Sequence, residues 1–328
     1  MLFTLLSVVP AWLSWRWVEE PFRASRAIVD RPVRAAVLAT VCTVLVVFTA
    51  TSLLISGQSS ARVTVSSAAG VVTINPAAAR VDTAKPHHDG CFASKYAMTE
   101  AEPCVYGNPD GTRTVALLGD SHALQWFSAV EPIAINEGWR LEVLAKPSCS
   151  VSDVDIHSTM LDRTYDECAD WRDNAVKALA ASKPDVLLVG TSRTYQVVKD
   201  GNILGYENSR PLLQDGLKRT YQELEATTGA RVVVLADTPT SPKNVPTCLS
   251  AGNGTGCDFA PTPEPERMDV QAARQVPGVE VFDIVPVICP DGECRAVNRG
   301  TILMLDGSHL TAAFVRTTQG EIRPYLTS

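Results

Sequence analysis

Residues 114–124 read TVALLGDSHAL, a short apolar run followed by a Gly-Asp-Ser turn and the start of a segment with helical spacing. A buried strand that turns directly into a helix is the repeating unit of α/β folds. Ser121 follows the predicted strand at its carboxyl end, and open α/β sheets bind ligands at that end of their strands. This stretch therefore predicts an α/β fold with a site at Ser121.

Four further apolar runs predict more strands of the same sheet, at 140–145, 185–189, 231–236 and 279–284. The runs at 185–189 (DVLLV) and 231–236 (RVVVLA) are apolar through their middle, as in parallel strands that are buried on both faces. Segments with helical spacing lie between the strands, and a last helix is predicted after His309. Repeated strand–helix units predict a parallel sheet with helices on both faces. The Pro-rich segment 237–268 is too long for a simple connection and is predicted to form a lid or a flanking loop.

The N-terminal region predicts a membrane segment. Residues 35–55 (AAVLATVCTVLVVFTATSLLI) contain no charged residue, and about 20 apolar residues span a bilayer as a helix. A secretory signal is the alternative, but its apolar region would be shorter and nearer the N-terminus. Arginines are concentrated in 16–34, so this stretch is predicted to be cytoplasmic and the chain after residue 56 extracytoplasmic.

Composition excludes one class of function. The chain has 328 residues and a formal net charge of −7, with 36 Asp and Glu against 29 Lys and Arg. A nucleic-acid-binding protein would present a basic surface. No nucleic-acid partner is therefore expected.

The cysteines provide an independent test of this topology. Cys42 lies within the apolar segment, and the other eight cysteines all lie on the predicted outer side. An even number in an oxidising compartment indicates disulfides. The sequence does not fix the pairing; the simplest hypothesis joins sequential neighbours: Cys91–Cys104, Cys149–Cys168, Cys248–Cys257 and Cys289–Cys294. Zinc is the alternative, but no CxxC motif occurs and no histidine has ligand spacing.

Ser121 has two interpretations. It caps a helix, or it is a nucleophile whose backbone N–H, at the start of that helix, donates to an oxyanion. A nucleophilic serine needs a base, and His309 follows Asp306 in the sequence DGSHL at 306–310. The alternative for this sequence is a solvated turn. The other histidines are less suitable: His122 is adjacent to Ser121 and its side chain diverges from it, whereas His87, His88 and His157 lie in predicted loops.

These two blocks carry a resemblance. GDSHA at 119–123 and DGSHL at 306–310 resemble the first and last motifs of SGNH hydrolases, Gly-Asp-Ser and Asp-x-x-His. The GDSH sequence followed by Trp126, KPSC at 146–149, and Cys168 with Trp171 resemble the SGNH domain fused to membrane-bound acyltransferase family 3 proteins. WRWVEEPFR at 15–23 resembles the end of the last core helix of that acyltransferase domain. The chain thus resembles the C-terminal portion of such a protein, with only the end of the acyltransferase domain retained.

The resemblance implies a three-layer α/β/α SGNH fold (flavodoxin-like, with a parallel sheet) preceded by a transmembrane helix. The implied organisation is an acyltransferase remnant with an Arg-rich cytoplasmic segment at 1–30, a transmembrane helix at 33–56, an extracytoplasmic linker at 57–90 and the SGNH domain at 91–328. It also implies a catalytic triad in which Ser121 attacks an acyl group, His309 transfers the proton and Asp306 orients His309.

The sequence departs from the SGNH pattern at the oxyanion hole. Clear counterparts of the second-block Gly and third-block Asn are absent, and GTSRT at 190–194 stands where a GxND motif is expected. Gly190, Ser192 and Arg193 are the candidate replacements, and His122 is a candidate for the substrate border. Loss of one oxyanion donor costs about 2.7–4 kcal/mol, so this departure bears on whether the domain is an enzyme.

Three functions follow from the resemblance. The first is an extracytoplasmic O-acyltransferase, with O-acetyl transfer from a membrane acyltransferase domain to a hydroxyl of a cell-envelope polysaccharide or glycolipid. The second is a carbohydrate esterase with the same triad, and the third is a glycan-binding module with a vestigial triad. The protein is expected at the cell membrane, as a single-pass protein or the C-terminal part of a multi-pass protein. No cofactor is expected.

Overall fold

The computed structural model describes residues 12, 15–20, 32–59, 62–67, 70–92, 96–251, 255–263 and 267–327. These residues form two compact units that divide between residues 61 and 62. The second unit contains the predicted SGNH domain at 91–328 and part of the predicted linker at 57–90.

The first unit contains a π-helical turn at Trp15–Glu19 and a long helix, α1, at Pro32–Ser59. Helix α1 covers the predicted transmembrane segment at 33–56. Over the described ranges, no helix is long and apolar enough to cross a membrane, so the predicted span is not confirmed. The predicted acyltransferase remnant at 1–30 lies largely outside the described residues.

The second unit is built from short strands and helices. Its strands are β1 Val63–Ser67, β2 Gly70–Ile74, β3 Cys104–Gly107, β4 Thr114–Gly119, β5 Arg140–Ala145, β6 His157–Ser158, β7 Arg163–Thr164, β8 Val186–Gly190, β9 Val198–Lys199, β10 Asn202–Ile203, β11 Arg231–Leu235, β12 Glu280–Phe282, β13 Val297–Asn298 and β14 Thr301–Ile302. Its α-helices are α2 Pro76–Ala79, α3 Ser121–Leu124, α4 Phe127–Glu137, α5 Asp166–Ser182, α6 Tyr206–Thr228, α7 Val245–Ala251, α8 Met268–Ala273, α9 Val285–Ile288, α10 Ala312–Arg316 and α11 Gln319–Thr327.

Six strands form the central sheet in the order β12-β11-β8-β4-β5-β3. The five strands from β12 to β5 are parallel, and β3 is an antiparallel strand at the edge. The five parallel strands are the five that the apolar runs predict. They follow the order 2-1-3-4-5 of flavodoxin-like folds, because the chain moves from β4 to one side for β5 and then to the other side for β8.

Helices cover both faces of the sheet. Alternate residues of β4 point to opposite faces, so Val115 and Leu117 lie in one hydrophobic cluster with side chains of α4, α10 and α11. Ala116 and Leu118 lie in a second cluster with side chains of α5, α6 and α8. The result is the three-layer α/β/α arrangement. Trp126 and Trp171 are buried in these clusters, so both are core residues.

Residues 62–92 are part of the folded second unit rather than a free linker. They form the β1–β2 hairpin, helix α2 and a 3-10 turn at Lys85–His87. Asp82 accepts hydrogen bonds from the first N–H groups of helix α10: its carbonyl oxygen from Ala312 (2.9 Å) and Oδ2 from Ala313 (2.8 Å). Because an acidic residue at a helix N-terminus satisfies unpaired N–H groups, Asp82 ties this segment to the end of the chain.

Four disulfides close the second unit. They join Cys91 to Cys104, Cys149 to Cys168, Cys248 to Cys257 and Cys289 to Cys294. The pairing of sequential neighbours is therefore confirmed. Cys42, in α1, is free and exposed.

Candidate active site

The site forms where the chain order of the sheet reverses, between β4 and β8. Gly119 and Gly190 end these strands and are paired in register. Gly119 has a φ of +151°, and a Cβ there would lie 1.9 Å from the carbonyl oxygen of Gly190. A Cβ on Gly190 would in turn lie 3.0 Å from the Cα of Ala123. The two glycines therefore allow the first turn of α3 to pack directly on the sheet, with Ser121 at its start.

The structure brings Ser121, His309 and Asp306 together from positions 188 residues apart. His309 Nε2 lies 2.8 Å from Ser121 Oγ, and His309 Nδ1 lies 2.8 Å from Asp306 Oδ2. Because the carboxylate accepts from Nδ1–H, the neutral imidazole presents Nε2 as an acceptor to the serine hydroxyl. This is the geometry that a nucleophile, a general base and an orienting group require.

The backbone around Asp306 fixes its carboxylate. Oδ1 accepts hydrogen bonds from the N–H groups of Ser308 (2.7 Å) and His309 (2.8 Å). Burial raises the pKa of Asp306. The opposing effects are larger: the hydrogen bond from His309, the charge of His309 and the two N–H groups hold this pKa well below its usual range. Asp306 is therefore a carboxylate at neutral pH.

The segment 237–268, predicted as a lid or a flanking loop, supports this loop. The N–H of Ser241 donates to the carbonyl oxygen of Gly307 (2.7 Å), and the N–H of Val245 donates to that of Asp306 (2.9 Å). Thr238 Oγ1 donates to the carbonyl oxygen of Ser308 at 3.0 Å. The described part of 237–268 thus holds the Asp306–His309 loop in place through these three hydrogen bonds.

A second histidine–carboxylate pair lies beside the first. His122 Nδ1 lies 2.6 Å from Asp237 Oδ1, and both side chains are buried. The rings of His122 and His309 have centroids 4.5 Å apart. Burial lowers the pKa of His122, but the charge and hydrogen bond of Asp237 prevail and raise it to about 9. His122 is therefore an imidazolium at neutral pH, with its ring next to that of His309.

Asp120 organises the loop that follows β8. Its Oδ2 accepts hydrogen bonds from Tyr195 Oη (2.7 Å), the N–H of Ser192 (2.8 Å) and Thr191 Oγ1 (3.1 Å). Its Oδ1 accepts from the N–H of His122 at 2.8 Å. The carboxylate that caps α3 therefore also anchors the neighbouring loop.

The structure gives the three candidate oxyanion residues of this loop other contacts. Gly190 is required for close packing against Ala123. The N–H of Ser192 donates to Asp120, and the N–H of Arg193 donates to Asp237 Oδ2 at 2.9 Å. The Arg193 guanidinium donates to backbone and side-chain oxygens of Asp237, Thr238 and Thr262, away from Ser121.

Two residues outside this loop, Ser121 and Ser148, border the same cavity. The N–H of Ser121, at the first position of α3, donates to no residue in the described part of the chain. Ser148, in the loop after β5, has a φ of +52° and borders the same cavity as Ser121. A non-glycine residue at positive φ is unusual and occurs at functional sites. This conformation was not predictable, because a serine does not indicate a left-handed backbone.

A polar cavity of about 220 Å³ opens at Ser121 and His309. All of its lining residues are polar or aromatic, and they include His122, Ser148, His157, Ser192, Thr194 and Tyr195. His157 is notable because both of its ring nitrogens are buried without a hydrogen-bond partner among the described residues. The cavity therefore offers donors and acceptors to a ligand rich in hydroxyl groups. His122 and Ser192 border this cavity, whereas Arg193 does not.

Sequence reasoning missed two further residues beside Ser121. Gln125 and His87 border Ser121 and His309 in a smaller cavity. The position of Gln125 near Ser121 was predictable, since Gln125 lies four residues after Ser121 and such residues share one face of a helix. His87 had none, because its contacts come from packing of the segment predicted to be a linker. In the described ranges, no group of three or more His, Cys, Asp or Glu side chains is arranged to hold a metal ion.

Comparisons with known proteins agree with this architecture. A family model described as the SGNH domain fused to AT3 domains matches residues 88–324. Among solved structures, the periplasmic domain of a lipopolysaccharide acetyltransferase from Salmonella ser. Paratyphi A superposes with a TM-score of 0.53 at 18% sequence identity. The superposition covers 67% of this chain and 85% of that domain. A search of curated protein sequences gives no match.

Proposed function

Because the chain belongs to the family of SGNH domains fused to AT3 domains, we propose that it is an extracytoplasmic O-acyltransferase. It transfers an acyl group, acetyl in the simplest case, to a hydroxyl of a cell-envelope glycan. The observation that carries the proposal is the continuous contact from Ser121 Oγ through the His309 imidazole to the Asp306 carboxylate.

The reaction proceeds through an acyl-enzyme. His309 Nε2 accepts the hydroxyl proton of Ser121 as Oγ attacks the carbonyl carbon of the acyl donor. The resulting tetrahedral intermediate collapses, and the leaving group departs with the proton from Nε2. An acceptor hydroxyl then gives its proton to Nε2 and attacks the Ser121 ester, and Ser121 regains the proton as the product leaves. Asp306 keeps the imidazole in the required tautomer and stabilises its protonated form.

The oxyanion is held by groups outside the loop after β8. The N–H of Ser121 points out of the start of α3, where the helix dipole favours negative charge. The N–H of Ser148 is the second donor. The imidazolium of His122 adds a fixed positive charge beside the reacting atoms, in a site where such charges act strongly because water is partly excluded.

The acceptor lies in the polar cavity. This cavity adjoins another of about 390 Å³, with which it shares Thr194 and Tyr206. A lining rich in hydroxyl, imidazole and phenol groups suits a sugar, and the two cavities together suit more than one sugar unit. The likeness to the periplasmic domain of a lipopolysaccharide acetyltransferase supports a glycan acceptor.

Location and acyl supply complete the proposal. The four disulfides support an oxidising, extracytoplasmic compartment. A membrane acyltransferase domain of the AT3 type supplies the acyl group, and the N-terminal segment keeps the SGNH domain at the membrane.

A carbohydrate esterase is the second candidate. The His309 side chain is 28% exposed and that of Asp306 is 37% exposed. Water can therefore reach the ester at Ser121 and replace the sugar in the second half-reaction. The two functions share one acyl-enzyme and differ in what removes the acyl group.

Labelling with a fluorophosphonate tests the shared step. We expect covalent labelling of the wild type, no labelling of Ser121→Ala, and normal labelling of Ser250→Ala, which alters an exposed serine of α7. If the wild type is not labelled, both enzymatic functions are excluded and the glycan-binding module is favoured. Incubation with an activated acetyl ester and an oligosaccharide then separates the enzymes: mass spectrometry finds acetylated sugar for a transferase and only free acetate for an esterase.

A further inference from the structure

A second cavity meets the Ser121–His309 pair separately from the polar cavity. It has a volume of about 160 Å³ and shares only Ser121 and His309 with the polar cavity. Much of its remaining wall is aliphatic, with side chains of Ala84, Leu305 and Leu310 among them. One nucleophile therefore lies between a polar space and an apolar space.

Gln125 is one of the polar residues that line the apolar cavity, together with Thr83, His87 and Asp306. It lies one helical turn after Ser121 and is buried, with 6% of its surface exposed. Its Oε1 accepts a hydrogen bond from the N–H of Leu310 at 2.8 Å, and this bond identifies which end of the amide is the nitrogen. Nε2 is buried and has no partner among the described residues.

A buried amide donor without an acceptor is rare in folded proteins and calls for an explanation. Here the side chain belongs to a residue that lines a cavity together with the proposed nucleophile. A carbonyl oxygen in that cavity would be the missing acceptor.

His87 forms another part of the wall. Its ring packs edge-on against Phe92, with centroids 4.7 Å apart. Burial, with the nearby charges of His309 and His88, lowers the pKa of His87 to about 4. The ring is therefore uncharged at neutral pH, which keeps this wall compatible with an apolar ligand.

We propose that the apolar cavity binds the acyl group carried by Ser121 and that Gln125 Nε2 donates a hydrogen bond to its carbonyl oxygen, as a further donor beside the N–H groups of Ser121 and Ser148. The proposal rests on the acyl-enzyme of the proposed function. About 160 Å³ is the liquid volume of roughly five water molecules, which accommodates a short acyl group and excludes a fatty acyl chain. With the acyl group on this side, the polar cavity stays open for the acceptor hydroxyl.

The test is a series of p-nitrophenyl esters with acyl chains of two, four and eight carbons. We expect the wild type to cleave the acetyl ester and to lose at least tenfold in kcat/KM for the octanoyl ester. Ala84→Leu fills the cavity and lowers the four-carbon to two-carbon ratio of kcat/KM by about tenfold or more, since one methylene changes such ratios by about 10–200-fold. Leu310→Ala enlarges the cavity and so raises the same ratio. It keeps the backbone N–H that donates to Gln125 Oε1.

Gln125→Glu tests the amide. It keeps an oxygen for the Leu310 N–H and removes the donor, so kcat/KM falls by roughly 10²–10³-fold for every ester. The control for Ala84→Leu is Ala78→Leu, which places a leucine at an exposed position of α2. We expect it to leave the chain-length ratio unchanged.

The ratio is measured within each variant, so it does not depend on the fraction of protein that folds. The acyl cavity is overturned if active wild type cleaves the octanoyl and acetyl esters equally. It is also overturned if Ala84→Leu and Leu310→Ala leave the four-carbon to two-carbon ratio of kcat/KM unchanged. Unchanged rates in Gln125→Glu overturn the role of the amide. A wild type that neither reacts with fluorophosphonate nor cleaves any ester refutes the proposed function instead.

Discussion

Replacement of Asp237 by Asn tests the buried pair beside the proposed triad. Asp237 Oδ1 lies 2.6 Å from His122 Nδ1, and Asn has nearly the same shape without the charge. Burial raises the pKa of Asp237, but the His122 and Arg193 charges lower it to about 2. In the wild type the pair is therefore ionised over the whole neutral range. In Asp237→Asn burial dominates, and the pKa of His122 falls below 6.5.

The size of the effect follows from the His122 pKa. A folded-state pKa of about 9 against 6.5 for the free side chain corresponds to about 3 kcal/mol of stability, at roughly 1.4 kcal/mol for each pH unit. Because the pKa is raised on folding, this stability is fully present below pH 6.5 and is lost as the pH rises through 9. Breaking a buried ion pair by removing one partner costs about 3–5 kcal/mol, which agrees in magnitude.

Urea unfolding of wild type and Asp237→Asn, followed by tryptophan fluorescence, measures the difference. At pH 6 we expect Asp237→Asn to lower the free energy of unfolding by about 3 kcal/mol. At pH 10, where His122 is neutral in both proteins, the part of the difference that comes from His122 is lost, and the part that comes from the Arg193 contact with Asp237 remains. NMR titration of the His122 ring gives the pKa directly.

The matched control is Asp162→Asn. Asp162 lies 3.7 Å from His157 Nε2, but its side chain is 98% exposed, and exposed pairs contribute little. No measurable change in stability is expected. The reasoning is refuted if wild-type His122 titrates at or below pH 6.5, or if Asp237→Asn is equally destabilising at pH 6 and pH 10.

Three further predictions concern the triad, the sheet and a disulfide. Asp306→Asn leaves the fold intact but removes the charge that orients the imidazole, so kcat for ester cleavage falls by about 10⁴-fold. Gly119→Ala places a Cβ 1.9 Å from the carbonyl oxygen of Gly190, and a loss of more than about 3 kcal/mol in urea unfolding is expected; a loss below about 1 kcal/mol contradicts this. Cys149→Ser opens the 19-residue separation to Cys168 and lowers the free energy of unfolding by about 3 kcal/mol, whereas an unchanged urea midpoint contradicts the prediction.

The sheet was predictable because its strands carry a strong local signal. The run at 185–189 is apolar on both faces and is followed by Gly190, and β8 is buried along its whole length. A strand that is covered by helices on both sides has no polar face, so its sequence is a continuous apolar run. Such a short run is therefore a strong indication of a buried parallel strand. The position of Ser121 at the carboxyl edge of the sheet followed from the same reasoning, whereas His309 was assigned from the DGSHL sequence and its resemblance to the last SGNH motif.

The contacts of the loop after β8 were not predictable in the same way. Arg193 was a reasonable anion-binding residue, but it binds Asp237, which lies 44 residues further along the chain. Ser192 likewise donates to Asp120, 72 residues earlier. Which carboxylate meets which donor is decided by packing between loops, and neither composition nor periodicity records it.

The contacts of the segment predicted as a linker, 57–90, were not predictable for a related reason. It has few charges and no clear period, which is typical of a linker. Its order comes from single contacts such as that of Asp82 with the first turn of α10. As a result His87 reaches the Ser121–His309 pair, from a stretch whose sequence indicates only a connection.

Two histidines border Ser121, and their environments suit different tasks. His122 is buried against Asp237, which holds it charged; a base must be neutral to accept a proton, so His122 is excluded as the base and suits a fixed positive charge. His309 is partly exposed and contacts Ser121 Oγ directly, so it can pass a proton between Ser121 and either the leaving group or the acceptor. The sequence places a histidine directly after the serine and another 188 residues away, and burial and geometry show why the distant one is the candidate base.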